Sequence, residues 1–245
     1  IVFEMANNHM GDIAHGVNLI REFGQVVSAF KENFEFAFKL QYRNLDTFIH
    51  SSVRGDMSLK YVKRFEETRL REEDFIKLLD TMKECGFKRI CTPFDEDSVG
   101  VIGKHGIEVI KIASCSFTDW PLLERIAKAE KPVIASTAGA DLEDIDRVVS
   151  FFIHRAVQLT IMHCVAEYPT PDENLRLARI PLLKERYPDI RIGYSTHEHP
   201  NRTEPVMLAV AMGAKVFEKH VALPNDKYEA NAYSATPEQI QSWLE

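Results

Sequence analysis

The sequence predicts a (β/α)8 TIM barrel, and three observations carry that prediction. Short apolar runs recur along the chain: IVFE, FEFAFK, RICT, VIKIAS, PVIAS, VQLTIMH, IRIGYS-TH and KVFEKH. Helical patterns separate them. The runs end at or beside residues that can do chemistry, namely Glu4, Lys39, Thr92, Lys111, Ser114, Ser136, His163, His197 and His220. Strands of a parallel barrel are buried on both faces and read as apolar runs. Such a barrel builds its active site from the C-terminal ends of its strands. A chain of 245 residues has the length of one barrel domain.

The first strand reads as Ile1–Glu4, followed by the loop Met5–Gly11 and a helix over Ile13–Phe23. The second strand is Phe36–Leu40. The long segment Gln41–Thr68 after it has the length of a lid or binding loop, and a helix over Arg71–Cys85 follows. Pro93 ends the third strand, Arg89–Thr92, and Ser98–His105 reads as a helix. The fourth strand is Val109–Ala113. Asp119 opens the next helix, with Pro121 in its first turn. After the fifth strand, Val133–Ser136, Asp141 and Asp144 form an acidic variation on the capping box. The sixth strand is Val157–His163. In the helix expected over Asn174–Arg186, Pro181 should kink or divide the element. Strand Ile190–Tyr194, helix Thr203–Met212 and strand Lys215–Lys219 complete the alternation. Thr236 caps the final helix with Pro237 behind it. No linker divides residues 1–245, which read as a single catalytic domain.

Composition narrows the function. The net charge is −7, and no dense run of Lys or Arg suggests nucleic acid. No apolar run is long enough to span a bilayer. Cys85, Cys91, Cys115 and Cys164 form no metal-like pair and read as free thiols of a reducing cytoplasm. The chain begins inside a strand at Ile1, without methionine, and reads as a trimmed piece.

The strand ends suggest three groups. His197 and His220 end neighbouring strands, so their rings can converge above the barrel. Two imidazoles with open positions suit a divalent metal such as Mn, Zn or Fe; the alternative is a hydrogen-bonded pair at the mouth. His199, beside Pro200, reads as a loop residue. Lys39, Thr92, Lys111, Ser114 and Ser136 would surround one concave patch suited to a phosphorylated or carboxylated anion. A lysine there can also form a Schiff base, or pair with Glu4 or Glu218 and merely hold the mouth together. Glu4 and Glu218, adjacent once the barrel closes, can serve as general base, ligand or salt-bridge partner.

The stretches FEMANNHMG, FKLQ, CTPFD, VIKIAS, VIAST, MHCVAEYPTP, GYSTHEHP and VFEKH occur in this order, each at a predicted strand. Together they resemble the sialic acid (N-acetylneuraminate) synthase family, over almost the whole chain. The resemblance implies a barrel transferase that condenses phosphoenolpyruvate with an aldose such as N-acetylmannosamine, releasing phosphate and leaving a 2-keto-3-deoxy sugar acid. It implies a divalent metal, usually Mn2+ with Mg2+ or Zn2+ as alternatives, held by His197 and His220. Lys39, Thr92, Lys111, Ser114 and Ser136 would hold phosphoenolpyruvate. Glu4, Gln41 and Tyr168 would line the sugar side, with Glu218 beside the metal and Ser195 in the substrate site. It also implies a homodimer and a small C-terminal domain resembling antifreeze proteins, which this chain, ending at Glu245, does not include. The competing readings are a Schiff-base aldolase or lyase, and a catalytically degenerate barrel that binds a sugar phosphate.

The chain departs from the family pattern at several positions. An acid usual two residues after the KIAS-type serine is Ser116. An Asn of the loop after the sixth strand is Ala166. The G-P-D-H-like stretch after the eighth strand is Tyr228-Glu229-Ala230-Asn231, S-D-H is Ser195-Thr196-His197, and S-T-G-M is Ser136-Thr137-Ala138-Gly139. The donor and metal positions are largely kept, so the sequence reads as a divergent synthase with an altered acceptor.

Overall fold

In the computed structural model, which describes residues 1–245, eight parallel strands close into one barrel in sequence order. They are β1 (Val2–Glu4), β2 (Ala37–Tyr42), β3 (Lys88–Pro93), β4 (Val109–Ile112), β5 (Val133–Ser136), β6 (Leu159–Cys164), β7 (Arg191–Thr196) and β8 (Val216–His220). Closure pairs β1 with β8, setting Val2 opposite Glu218 and Glu4 opposite His220. The helices are α1 (Ile13–Val27), α2 (Leu45–Phe48), α3 (Lys60–Glu67), α4 (Glu72–Glu84), α5 (Glu96–Ile102), α6 (Trp120–Ala127), α7 (Leu142–Ile153), α8 (Arg179–Arg186), α9 (Glu204–Ala211) and α10 (Pro237–Leu244). None is long and apolar enough to cross a membrane.

Successive strand side chains face opposite sides, and this alternation divides the core. One set faces the helices: Phe3, Phe38, Cys91, Ile110, Ile112, Val133, Ala135, Ile161 and Ile192 belong to the main apolar cluster with Leu19, Ile20 and Phe23 of α1. The Phe3 ring lies 5.4 Å from Phe23 and 5.8 Å from Phe38, centre to centre. Each phenylalanine so buried contributes about 1.5–3 kcal/mol. The other set faces the barrel axis. Val2, Ala37, Ile90, Ile134 and Met162 plug its lower half. Two residues further along the same strands stand Glu4, Lys39, Thr92, Ser136 and Cys164. The chain thus places an apolar floor directly beneath a polar mouth. Gly193 permits the closure of β7 on β8, since a Cβ there would stand 2.5 Å from the Val216 carbonyl oxygen.

The caps form largely as expected. The Asp119 carboxylate accepts from the Leu122 amide at 3.3 Å, and Thr236 with Gln239 forms a full capping box. Asp141 accepts from the Asp144 amide at 2.8 Å, but Asp144 turns to Arg147 and does not return the bond. One element differs from expectation, and one break falls where Pro181 was expected to place it. Gln41–Thr68 is not an open loop: β2 continues to Tyr42, and α2, a turn at Ser51–Val53 and α3 fill the remainder. The helix expected over Asn174–Arg186 is divided, because Pro181 lacks an amide hydrogen and is accommodated only in a first turn. A short turn at Asp172–Asn174 precedes α8, in which Pro181 is the third residue.

Candidate active site

Twelve of the residues singled out in the sequence line one cavity of about 250 Å³ at the C-terminal end of the barrel: Glu4, Lys39, Gln41, Thr92, Lys111, Ser114, Ser136, Tyr168, Ser195, His197, Glu218 and His220. Phe94, Cys164 and Ala166 also line it. The strand alternation delivers them: Lys39 and Gln41 are two apart on β2, as are Glu218 and His220 on β8.

At its base lies a buried charge cluster. Lys39 Nζ stands 2.5 Å from Glu4 Oε2 and 3.1 Å from Glu218 Oε2. Lys111 Nζ donates to Glu218 Oε1 at 3.2 Å, and Ser195 donates to the same oxygen at 3.2 Å. The Ala6 amide donates to Glu4 Oε1 at 2.6 Å, across a turn in which Ala6 adopts φ +47°. Non-glycine residues in that region cluster at functional sites. Burial works against the Lys39 ammonium, but Glu218 and Glu4 outweigh it and hold its pKa above the ordinary lysine value. Lys39 therefore remains protonated and is a poor Schiff-base nucleophile. Burial pulls the Lys111 pKa down against the attraction of Glu218. Glu218 is held well below the usual carboxylate range, because Lys111 and Lys39 outweigh its own desolvation.

The lysines are thus paired, as the mouth-holding reading required, yet the hydroxyls beside them are not. Thr92 Oγ1 and Ser136 Oγ are fully buried and have no hydrogen-bond partner within the chain. Buried polar atoms in native proteins are nearly always bonded, so this pair is left with donors open to the cavity. Ser114 Oγ accepts from the Ala138 amide at 3.1 Å.

The His197 and His220 rings lie 5.4 Å apart, centre to centre. His197 Nδ1 lies 2.9 Å from the Val165 carbonyl oxygen. A neutral ring must donate there, which leaves the Nε2 lone pair free. Burial, with His220 nearby, lowers the His197 pKa to about 3; burial and Lys39 lower that of His220 to about 3 despite Glu218. Both rings are neutral at physiological pH, the form that binds a metal. No third His, Cys, Asp or Glu converges on them. Tyr168, on the loop after β6, packs its ring 4.1 Å from His197 and 5.2 Å from Tyr233.

Other candidates fall elsewhere. His163 is not at the mouth: its ring stacks on Tyr194, and Nε2 lies 2.8 Å from the Leu175 carbonyl oxygen. β6 runs one residue further than expected, so Cys164, not His163, faces the axis. His199 is an exposed loop residue that accepts from the Asn201 amide. Of the departures, Ala166 lines the cavity, whereas Ser116 and Ala230 do not. Asn8 ties the loop after β1 to the segment after β8, donating to Val221 O at 2.7 Å and Ser234 Oγ at 3.1 Å.

Fold and site together define a (β/α)8-barrel protein with a buried, charged, small-molecule cavity at the catalytic end. The barrel of a putative spore coat polysaccharide biosynthesis protein E from Chromobacterium violaceum superposes with a TM-score of 0.96 at 67% identity, over 99% of this chain and 72% of that one. The N-acetylneuraminic acid (sialic acid) synthetase of Leptospira borgpetersenii, solved with citrate, gives 0.86 at 27% identity, over 99% of this chain and 80% of that one. The N,N'-diacetyllegionaminic acid synthase of Campylobacter jejuni is 28% identical over 91% of this chain and 67% of its own length. The NeuB family model matches residues 26–245. The chain belongs to the NeuB family, in agreement with the motif resemblance. It spans from about half to about two thirds of the length of the curated relatives it matches.

Proposed function

We propose that this chain is the catalytic barrel of a transferase that condenses phosphoenolpyruvate with an aldose, releasing phosphate and forming a 2-keto-3-deoxy sugar acid. The observation that carries this reading is the pair of orphaned hydroxyls, Thr92 and Ser136, buried beside two lysines and facing the same cavity as the imidazole pair. Lys39, Lys111, Thr92, Ser114 and Ser136 hold the carboxylate and phosphate of the donor through charge-assisted bonds. Glu4, Gln41 and Tyr168 line the acceptor side, and Ser195 fixes Glu218.

His197 and His220 fit a divalent cation, Mn2+ with Mg2+ or Zn2+ as alternatives: both are neutral, desolvated, and one is oriented through Val165. When bound, such a cation supplies Lewis-acid polarisation of the acceptor carbonyl. The chain's own residues do the remaining work. The lysines and hydroxyls orient the donor so that its vinyl carbon faces the aldehyde carbon, which turns a bimolecular encounter into a positioned one. Positive charge then develops at the enol carbon, and ionised Glu218 is the anion available to stabilise it. Water adds to that carbon, and phosphate leaves. A homodimer and a C-terminal partner domain belong to the same reading and rest on the family resemblance; a cytoplasmic setting rests on the four unpaired cysteines.

The test is phosphate release from phosphoenolpyruvate with Mn2+ and a panel of aldoses. Release with at least one acceptor supports the proposal; none, from folded full-length protein, favours a binding module. Trapping of pyruvate on Lys111 by borohydride would overturn the mechanism in favour of a Schiff-base enzyme. His197→Ala or His220→Ala is expected to lose Mn2+ while the fold survives, and unchanged metal stoichiometry would refute that assignment.

A further inference from the structure

Beside the mouth lies a second cavity of about 130 Å³, walled by the loop after β1 and the segment after β2. Arg43, Arg69, His9, Asn7 and Thr68 line it, and no Asp or Glu does. Arg69 is neutralised by Asp46 and Glu66. Arg43 has no carboxylate partner. Its guanidinium stacks on Phe94, 3.8 Å from the ring centre, and on Phe65, 4.6 Å away. One nitrogen donates to Gln41 Oε1 at 2.7 Å, and Nε is buried with no partner. A guanidinium whose Nε is shut off from water ordinarily holds a carboxylate or phosphate through its planar fork. Desolvation pushes the Arg43 pKa down to about 10, with Glu4 only partly opposing it.

His9 adds a neutral donor. Its Nδ1 accepts from the Gly11 amide at 3.1 Å, which places the ring proton on Nε2. Gln41 joins the two cavities: it lines both, bonds Arg43 through Oε1, and donates to Glu4 Oε2 at 3.3 Å. A ligand that occupies the mouth and extends past Gln41 arrives at Arg43. An arginine serving only the aromatic stack would not need an acid-free cavity or an orphaned Nε.

We infer that this second cavity, built on Arg43, is an anion subsite for a carboxylate- or phosphate-bearing substituent at the far end of the acceptor. The inference rests on the proposed synthase reading, which supplies an acceptor at the mouth. The test uses an alditol 6-phosphate and the matching neutral alditol, which lack an aldehyde and cannot react. Their binding is measured by calorimetry on the full chain. The phosphate is expected to tighten binding at least about tenfold, the scale of one charge-assisted bond. Arg43→Met should abolish that gain, and Arg43→Lys should keep part of it. Inorganic phosphate, titrated alongside, identifies the source: if it competes with the alditol 6-phosphate and binds wild type and Arg43→Met equally, a free anion at the lysines explains the gain and the subsite is refuted. Equal affinity for both alditols, or a gain surviving in folded Arg43→Met, also overturns it. Phosphate release with a panel of neutral and 6-phosphorylated aldoses separates the two failures. Activity with any of them but no Arg43-dependent gain sinks the subsite alone, and inactivity with every one sinks the synthase reading.

Discussion

Lys219 donates from Nζ to the backbone carbonyl of Glu198 at 2.9 Å and to its carboxylate at 3.2 Å. Both side chains are fully buried, on the helix-facing side of the barrel wall, where Thr196 and Tyr194 also donate to Glu198. The pair fastens together the two strand ends that carry the imidazoles, since Glu198 follows His197 and Lys219 precedes His220. Lys219→Met strands a buried carboxylate and is expected to cost about 3–5 kcal/mol. Chemical denaturation measures that cost. A Mn2+ titration of the folded variant should show weakened binding, although neither residue faces the cavity. Unchanged metal affinity would leave the pair a purely structural role.

Thr92→Val and Ser136→Ala remove hydroxyls that have no partner in the chain. Their loss should leave the melting temperature unchanged or slightly raised, because an unsatisfied buried polar group destabilises. The KM for phosphoenolpyruvate should rise about tenfold per hydroxyl, the effect of one lost bond to a charged ligand. A fall in stability with unaltered kinetics would count against the donor assignment.

His9 is buried, and desolvation lowers its pKa to about 4 from an ordinary 6.5. The folded chain resists protonation that the unfolded chain accepts. Stability from this group is therefore complete above pH 6.5, is lost as pH falls through the window from 6.5 to 4, and changes no further below it. The loss is at most about 3 kcal/mol. Denaturation curves of the wild type and His9→Gln at pH 7.5 and pH 5 should converge at the lower pH; parallel curves would contradict the shift.

Ala166 is the departure from the family pattern that reaches the cavity. Ala166→Asn is expected to change the ratio of kcat/KM between N-acylated and plain aldoses by about tenfold or more, since a site that bonds a polar group rejects analogues lacking it. Ala230→Asp serves as the comparison and should change the ratio little.

The barrel was legible because strand burial and strand-end chemistry are written in local sequence. The period-two alternation makes Lys39 and Gln41, or Glu218 and His220, share a face once the strand is placed. His163 shows the weakness of that inference: a strand end misjudged by one residue turns a helix-facing ring into an apparent site residue. Arg43 stands one alternation past Gln41 and could have been found that way, had Gln41–Thr68 not read as a loop. Tyr233 gave no such signal, because it reaches the His220 ring, 5.2 Å away, through a turn after β8 whose path depends on Asn8. Pro181 marked a break correctly, but only packing decides on which side of it the helix forms.

The two carboxylates and two ammonium groups at the base of the mouth sum to zero charge. A multiply charged anion entering alone would leave this dry space strongly negative, and a divalent cation alone would leave it strongly positive. Entering together, they nearly cancel. Donor and cation should therefore bind with positive cooperativity, each raising the affinity of the other by the same factor. On that reading, an electrically balanced resting site would discriminate against either ion arriving without its companion.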